Sequence, residues 1–128
     1  MMRRDIRTIH ADMTLAAFRR DFPLGSTHRV VVVDDADRYA GIVQTAEAYS
    51  PDLAVDRVGD ILHFEKEMLT PQMTVKTAIV IFEEAESDAL VVVDSKESRH
   101  VIGLLTEQHA LRRYTEELDR RRRELAGE

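Results

Sequence analysis

Apolar and polar positions follow the same order twice along the chain. Each half contains an unbroken aliphatic run, at residues 30–33 and 90–93, and such a run predicts a strand buried on both faces. Apolar residues at helical spacing precede each run and predict a helix with one buried face. Their positions are Leu15, Phe18 and Phe22 in the first half, and Val75, Ala78, Ile79 and Phe82 in the second. Polar residues predict a turn after each run, and a second strand follows at residues 39–43 and 100–105.

The two halves, called copy one and copy two below, also share residues at a nearly constant offset. Residues 31–34 read Val-Val-Val-Asp and recur sixty positions later, at residues 91–94. The Gly-Ile-Val of residues 41–43 recurs as Gly-Leu-Leu at residues 103–105. With a short extended piece before each first helix and a helix after each second strand, each copy reads β-α-β-β-α. Two copies at so long a period indicate a duplicated unit of the α/β (α+β) class, because a solenoid needs at least three repeats.

The predicted organisation has four parts. They are a first unit at residues 5–50, a linker at residues 51–63 with a connecting helix over residues 56–63, a second unit at residues 64–113, and a charged helical tail at residues 114–128. Within these units, Thr14 and Thr74 stand where an N-cap hydroxyl would accept from the first turn of the following helix.

The tail allows two interpretations. Leu111, Leu118 and Leu125 recur every seven residues, and a basic run follows at residues 120–123 among several acids. The heptad spacing fits a helix that pairs with a partner helix or touches anionic headgroups. The interleaved acids and bases also fit a solvated helix held by charge pairs four residues apart, and the mixture of signs favours this second interpretation.

The composition excludes or disfavours several classes of site and of binding partner. The chain has 128 residues, a formal net charge of −6 and no cysteine. Disulfides, thiolate catalysis and cysteine-ligated zinc are therefore excluded, and a nucleic-acid surface, which needs a basic face, is disfavoured. No unbroken apolar run approaches the roughly 20 residues of a membrane-spanning helix. The sequence offers no combination of acid, base and nucleophile and no metal-ligand spacing, so we expect neither an enzyme nor a metal site.

The repeated residues resemble the CBS domain, and the two copies resemble a CBS domain pair (Bateman module). The resemblance covers residues 5–113 and is carried by residues 30–34, 41–43, 90–94 and 103–106. It implies a pseudo-twofold pair of tandem repeats whose sheets face each other and form two clefts. It also implies a regulatory, non-catalytic function, in which a cleft binds an adenosine nucleotide (ATP, ADP or AMP) and biases a partner protein.

A narrower resemblance concerns residues 22–30 and 104–114, which are similar to the cytoplasmic C-terminal domain of bacterial CLC-type chloride channels and transporters. It implies a cytoplasmic domain that modulates the membrane domain of such a protein. We expect a homodimer that forms through apolar helix faces, supplied by Ala46, Ala48, Tyr49, Ala110, Leu111 and Tyr114. The alternative is a free-standing, nucleotide-sensing CBS protein that regulates a soluble enzyme.

The nucleotide-binding pattern of the family, Gly-x-x-Thr/Ser-x-x-Asp, is incomplete in both copies. In copy one, Gln44 replaces the hydroxyl that contacts phosphate, and Glu47 replaces the Asp that accepts from ribose. In copy two, Thr106 keeps the hydroxyl and His109 replaces the Asp. The resemblance implies that the facing wall of this second cleft consists of Thr8, Ile9 and His10. We therefore expect clefts filled by side chains or water and weak nucleotide binding at most, with the second cleft as the better candidate.

Overall fold

The computed structural model describes residues 6–125, so residue 5 of the first predicted unit and residues 126–128 of the predicted tail lie outside it. The described elements are β1 (Thr8–His10), α1 (Leu15–Asp21), β2 (Arg29–Val33), β3 (Tyr39–Gln44), α2 (Thr45–Ala48), one 3-10 turn (Val58–Asp60), α3 (Val75–Ala85), β4 (Ala89–Val93), β5 (Val101–Thr106) and α4 (Glu107–Leu125). Among these residues, none of the helices has the length and apolar character needed to cross a bilayer.

Each copy builds its sheet in the same way. In copy one, β1 runs parallel to β2, and β2 runs antiparallel to β3. In copy two, β4 pairs antiparallel with β5. The extended piece predicted before α3 contributes a parallel bridge from Leu69 to Val92, in the place that β1 has in copy one. Both hairpins shift register at the same point, after Val32 and after Val92. The mixed α/β fold and the duplication predicted from the sequence are confirmed.

The first helix of each copy begins where the sequence predicts. The hydroxyl oxygens of Thr14 and Thr74 accept hydrogen bonds from the amides of Ala17 and Thr77, both at 3.1 Å. Each hydroxyl thus satisfies a backbone N–H that has no partner within its helix. The helices then bury the predicted apolar faces, on which Phe18 and Phe82 are fully inaccessible to solvent.

Alternate residues of the central strands β2 and β4 pack into different hydrophobic cores. Val30 and Val32 of β2 pack with the helices of copy one, as Leu90 and Val92 of β4 pack with those of copy two. Val31, between the first two, joins a third core that includes Val91 and Val93 together with Tyr39, Ile42 and Met68. This third core lies between the two sheets, so the sheets face each other. Burial on both faces explains why the two strands are continuously aliphatic.

The connecting helix predicted over residues 56–63 is wrong. This segment forms the single 3-10 turn Val58–Asp60, and then His63 pairs with Ile42 through two backbone hydrogen bonds of 2.8 Å. The amides of Val58 and Gly59 donate to the carbonyls of Met13 and Ala11 at 3.0 and 2.9 Å. The backbone of the segment is therefore satisfied by copy one, and not by the i−4 bonds of a helix.

The predicted dimer faces also need correction. Ala48 and Ala110 are buried within the cores of their own copies, and the Tyr49 hydroxyl lies 2.8 Å from the carbonyl oxygen of Arg19. Tyr114 packs against the core of copy two. Ala48 and Ala110 are small because each helix packs closely on its own copy. Of the predicted set, only Ala46 and Leu111 remain exposed.

Candidate functional site: the clefts between the copies

One cleft between the copies is open. Its main hollow has a volume of about 540 Å³ and is lined by the segment before β1, the loop from α1 to β2, and Leu104 of β5. Binding pockets for small molecules commonly measure about 300–1,000 Å³. Ile6, Val31 and Leu104 give the hollow apolar surface, and Arg7, His28 and Arg29 give it nitrogen donors. This hollow and the smaller one described below are called cleft two.

Both guanidinium groups in the main hollow are placed by neighbouring side chains. Arg7 lies over the Phe22 ring, 4.7 Å from its centroid, and its Nη2 is 3.9 Å from Oδ2 of Asp21. Arg29 reaches across to copy two, where its Nη2 is 2.5 Å from Oδ1 of Asp88. Cleft two therefore presents cations on its wall, each beside a carboxylate.

Asp88 contacts both Arg29 on this wall and the start of α4. The candidate nucleotide-binding residues Thr106 and His109 lie at that helix start. The carbonyl oxygen of Asp88 accepts from the amide of Glu107 at 2.9 Å. Directly before that residue, the Thr106 hydroxyl oxygen accepts from the amide of His109 at 3.2 Å and leaves its own proton free to donate to a ligand. Burial lowers the pKa of the His109 imidazole below its ordinary value, so the ring is neutral near pH 7 and has at most one acceptor nitrogen.

A smaller hollow of about 240 Å³ adjoins the first and shares Ile6 with it. It is lined by Thr8 of the predicted facing wall, together with Asp37, His100 and Val101. Ile9 is buried in the core of copy one and His10 is exposed, and neither lines the two hollows. The structure thus brings Thr8 opposite β5, at the end of that strand away from Thr106.

The other cleft, cleft one, is occupied by the protein itself. Residues 62–65 run against β3 so closely that a methyl group on Gly41 would lie 2.9 Å from Cβ of Leu62. The Tyr39 hydroxyl donates to the Phe64 carbonyl at 2.5 Å, and Arg99 Nη2 donates to the carbonyls of Tyr39 and Glu65 at 2.7 and 3.1 Å. Burial raises the pKa of the Tyr39 hydroxyl well above its ordinary value.

Glu47, the carboxylate of the incomplete pattern in copy one, is also engaged. Its Oε2 lies 2.9 Å from Nε2 of His63, in the segment that covers β3. A ligand in cleft one would have to displace both this pair and the segment itself. Of the two clefts, cleft two therefore offers the space that a ligand requires.

Arg7, Arg29 and Asp88 could hardly be recognised as site residues from the sequence. Arg29 and Asp88 are 59 residues apart, and the repeat does not relate them, because Ala89 and His28 stand at the equivalent positions. The only signal for Arg29 was its place at the end of the loop Ser26-Thr27-His28, whose residues now line the main hollow.

Comparisons with known proteins agree with this architecture. The family model for the CBS domain matches residues 1–45 and 58–116, whereas a comparison with curated proteins gives no match. Among solved structures, the cystathionine β-synthase pair domain of a putative Mg²⁺ transporter from Shewanella oneidensis is similar, with a TM-score of 0.70 and 22% identity over 91% of this chain and 68% of that chain.

Two further solved structures are described with a bound nucleotide. CBSX2 in complex with AMP has a TM-score of 0.69 and 17% identity, over 91% of this chain and 92% of that chain. The CBS domain of a bacterial CNNM/CorC family Mg²⁺ transporter in complex with ATP has a TM-score of 0.67 and 18% identity, over 87% and 80%. At these identities the likeness shows a shared fold.

Proposed function

The chain belongs to the CBS domain family, and on that premise we propose that it is a non-catalytic regulatory module that binds an adenosine-class ligand in cleft two. The observation that carries this proposal is the hollow of about 540 Å³, which copy one lines together with Leu104 of copy two. A ligand there would touch both copies, and the pair of Arg29 with Asp88 connects the wall of the hollow to the first amide of α4. The binding energy of the ligand would therefore depend on how the copies are arranged, which is what a ligand needs in order to bias a conformational equilibrium.

The ligand class follows from chemistry and from the similar structures. Apolar surface suits a purine ring, and the guanidinium groups suit polar parts of a nucleoside or nucleotide. Thr106 and His109 line neither hollow, and we propose that the ligand reaches the Thr106 hydroxyl from the main hollow. AMP and ATP are the ligands named for CBSX2 and for the CNNM/CorC domain. The missing ribose carboxylate at His109 supports weak binding, as we expect from the sequence.

Calorimetry and thermal denaturation with adenosine, AMP, ADP and ATP test this function. A ligand present at 100 times its dissociation constant stabilises a protein by about 2.7 kcal/mol, which a melting curve detects. Thr106→Ala should weaken binding, whereas Gln44→Ala, at the equivalent position in the filled cleft one, should leave it unchanged. Equal effects of the two substitutions would contradict the assignment of cleft two.

For the partner, we propose a membrane transport protein, with this chain at the cytoplasmic face of the membrane. Two of the similar structures are domains of Mg²⁺ transporters, and residues 22–30 and 104–114 resemble CLC-type chloride channels. The CLC-type protein is our specific candidate. Ten or more apolar segments encoded upstream of Met1, with the residues of a chloride pathway, would support it, and the residues of a magnesium pathway would contradict it.

The alternative is a free-standing nucleotide sensor that acts on a soluble enzyme. It is favoured by the CBSX2 structure, of which this chain covers 92% and whose description names AMP and no transporter. A stop codon directly upstream of Met1 would support this alternative over an attached membrane domain.

We also propose that the module forms a homodimer through α4. Leu111 and Leu118 on this helix are 44% and 38% exposed, and apolar exposure along one helix edge commonly marks an interface. Leu118→Glu should convert the dimer to a monomer in light scattering. Leu24→Glu, at an exposed leucine outside the helices, is the matched control and should leave the mass unchanged. A monomeric wild-type chain at high micromolar concentration would contradict the proposal.

A further inference from the structure

The ion pair between Arg29 and Asp88 breaks the pseudo-twofold symmetry of the module. The two residues are joined at 2.5 Å across the copies, but their equivalents by the repeat are Ala89 and His28. The backbone around them is symmetric, because the carbonyls of His28 and Asp88 accept from the amides of Thr45 and Glu107 at 3.0 and 2.9 Å. Only the side chains differ, and they differ at the open cleft.

Arg29 is the more enclosed member of the pair. Its side chain is 30% exposed and lines the main hollow, whereas the Asp88 side chain is 77% exposed. A guanidinium on the wall of a nucleoside-sized hollow is a natural partner for phosphate, because its N–H groups fit phosphate oxygens in pairs. In this chain the Asp88 carboxylate already takes one of those donors.

The second guanidinium of the hollow, on Arg7, also has a carboxylate nearby, at 3.9 Å on Asp21. The two arginines and the two aspartates therefore cancel in formal charge. A dianionic phosphate that contacted Arg29 would compete with Asp88 for the guanidinium N–H groups and would lie beside an exposed carboxylate of the same sign. A ligand without phosphate would meet neither obstacle.

We propose that Asp88 is a specificity-determining residue that selects against phosphate, so that cleft two prefers adenosine-class ligands without a charged phosphate over their phosphorylated forms. The inference rests on the proposed function of cleft two. Asp88 acts as a built-in counter-anion, because its carboxylate occupies one donor of Arg29 and offsets the positive charge that would attract a phosphate. The backbone carbonyl of Asp88 also accepts from the first amide of α4. An anion that displaced the Asp88 side chain would therefore act on a residue that is hydrogen-bonded to the start of that helix.

The experiment compares adenosine and AMP by calorimetry at pH 7.5, where a phosphate monoester carries nearly two negative charges, in buffer of low ionic strength. The full chain is used as wild type, Asp88→Asn, Arg29→Gln and Asp52→Asn. Asp52 is exposed, lies in the turn after copy one and does not line either hollow, so its substitution controls for the change in net charge. Circular dichroism and thermal denaturation establish that each variant is folded.

We expect the wild type to bind adenosine at least as tightly as AMP. Loss of an exposed ion pair or of an exposed like-charge contact changes an equilibrium by up to about fivefold each. Asp88→Asn should therefore tighten AMP binding by about three- to tenfold and change adenosine binding by less than about twofold. Arg29→Gln should weaken AMP binding only, and Asp52→Asn should resemble the wild type.

The outcomes separate this inference from the proposed function. If neither adenosine nor AMP binds to any folded variant, the proposed function of cleft two is wrong and the inference falls with it. If adenosine binds but the ratio of the two dissociation constants is the same in wild type and Asp88→Asn, or shifts equally in Asp52→Asn, the function stands and the role of Asp88 is overturned.

Discussion

Restoring a carboxylate at position 109 should create a stronger nucleotide site in cleft two. The family pattern implies an Asp there, and the hydroxyl that the same pattern includes is present three residues earlier, on Thr106. Thr106 caps α4 by accepting from the amide of residue 109, and that backbone contact does not depend on the side chain. An aspartate in the first turn of a helix is also favourable to the helix, so His109→Asp should fold as the wild type does.

The size of the gain follows from what the side chain offers. The neutral imidazole has at most one acceptor, whereas a carboxylate has two oxygens that suit the two neighbouring ribose hydroxyls. A hydrogen bond to a charged group contributes about 1.5–3 kcal/mol, which corresponds to about a ten- to hundredfold lower dissociation constant. The same change in copy one, Glu47→Asp, should achieve less, because residues 62–65 cover that cleft.

Calorimetric titration of both variants with adenosine tests this reasoning, because adenosine has the ribose hydroxyls and avoids the phosphate contacts of Arg29. The expected result is a tenfold or greater gain for His109→Asp and little change for Glu47→Asp. No gain in a correctly folded His109→Asp protein, or an equal gain in Glu47→Asp, would refute it. Either result would mean that the space in each cleft decides binding, and the ribose acceptor does not.

Three further predictions concern stability. Gly41→Ala should lower the free energy of unfolding by about 1–3 kcal/mol in urea denaturation, because the new methyl group must push Leu62 and its neighbours off β3. Phe82→Ala should lower it by about 3–5 kcal/mol, since the ring is fully buried in the core of copy two. A hydrogen bond from the Ser98 hydroxyl, with help from backbone amides, holds the pKa of Asp94 at about 2. Because this pKa is depressed from 3.8, the stabilisation is complete above about pH 4 and is lost as the pH falls towards 2. Urea midpoints should therefore depend less on pH in this window for Asp94→Asn than for the wild type.

Local patterns were sufficient for the parts of the fold that are determined locally. Strands β2 and β4 could be predicted because burial on both faces demands continuous aliphatic residues, which leave a clear signal. The starts of α1 and α3 could be predicted because Thr14 and Thr74 satisfy amides three residues away. In each case the residues that make the structure are neighbours in sequence.

Elements that depend on distant partners could not be predicted in this way. The segment at residues 56–63 has no pattern that reveals its hydrogen bonds to Met13, Ala11 and Ile42. The same holds for the pair of Glu47 with His63 and for the pair of Arg29 with Asp88, whose members are 16 and 59 residues apart. The position of one charged residue in the sequence does not indicate its partner, so only the fold shows which opposite charge lies beside it.

The two copies show how a duplicated fold acquires one open cleft. Asp37 and Arg99 occupy the same turn position, and both have a left-handed backbone, with φ of 63° and 58°. Tyr39 and Val101 follow at equivalent places, two residues later in each copy. In copy one, the tyrosine ring and the arginine side chain of the opposite copy fill the space together. On the other side, the shorter valine and aspartate line a hollow of about 240 Å³. The backbone has kept the symmetry of the duplication, and side-chain volume at two positions has removed it, so only cleft two has open space for the ligand that we propose.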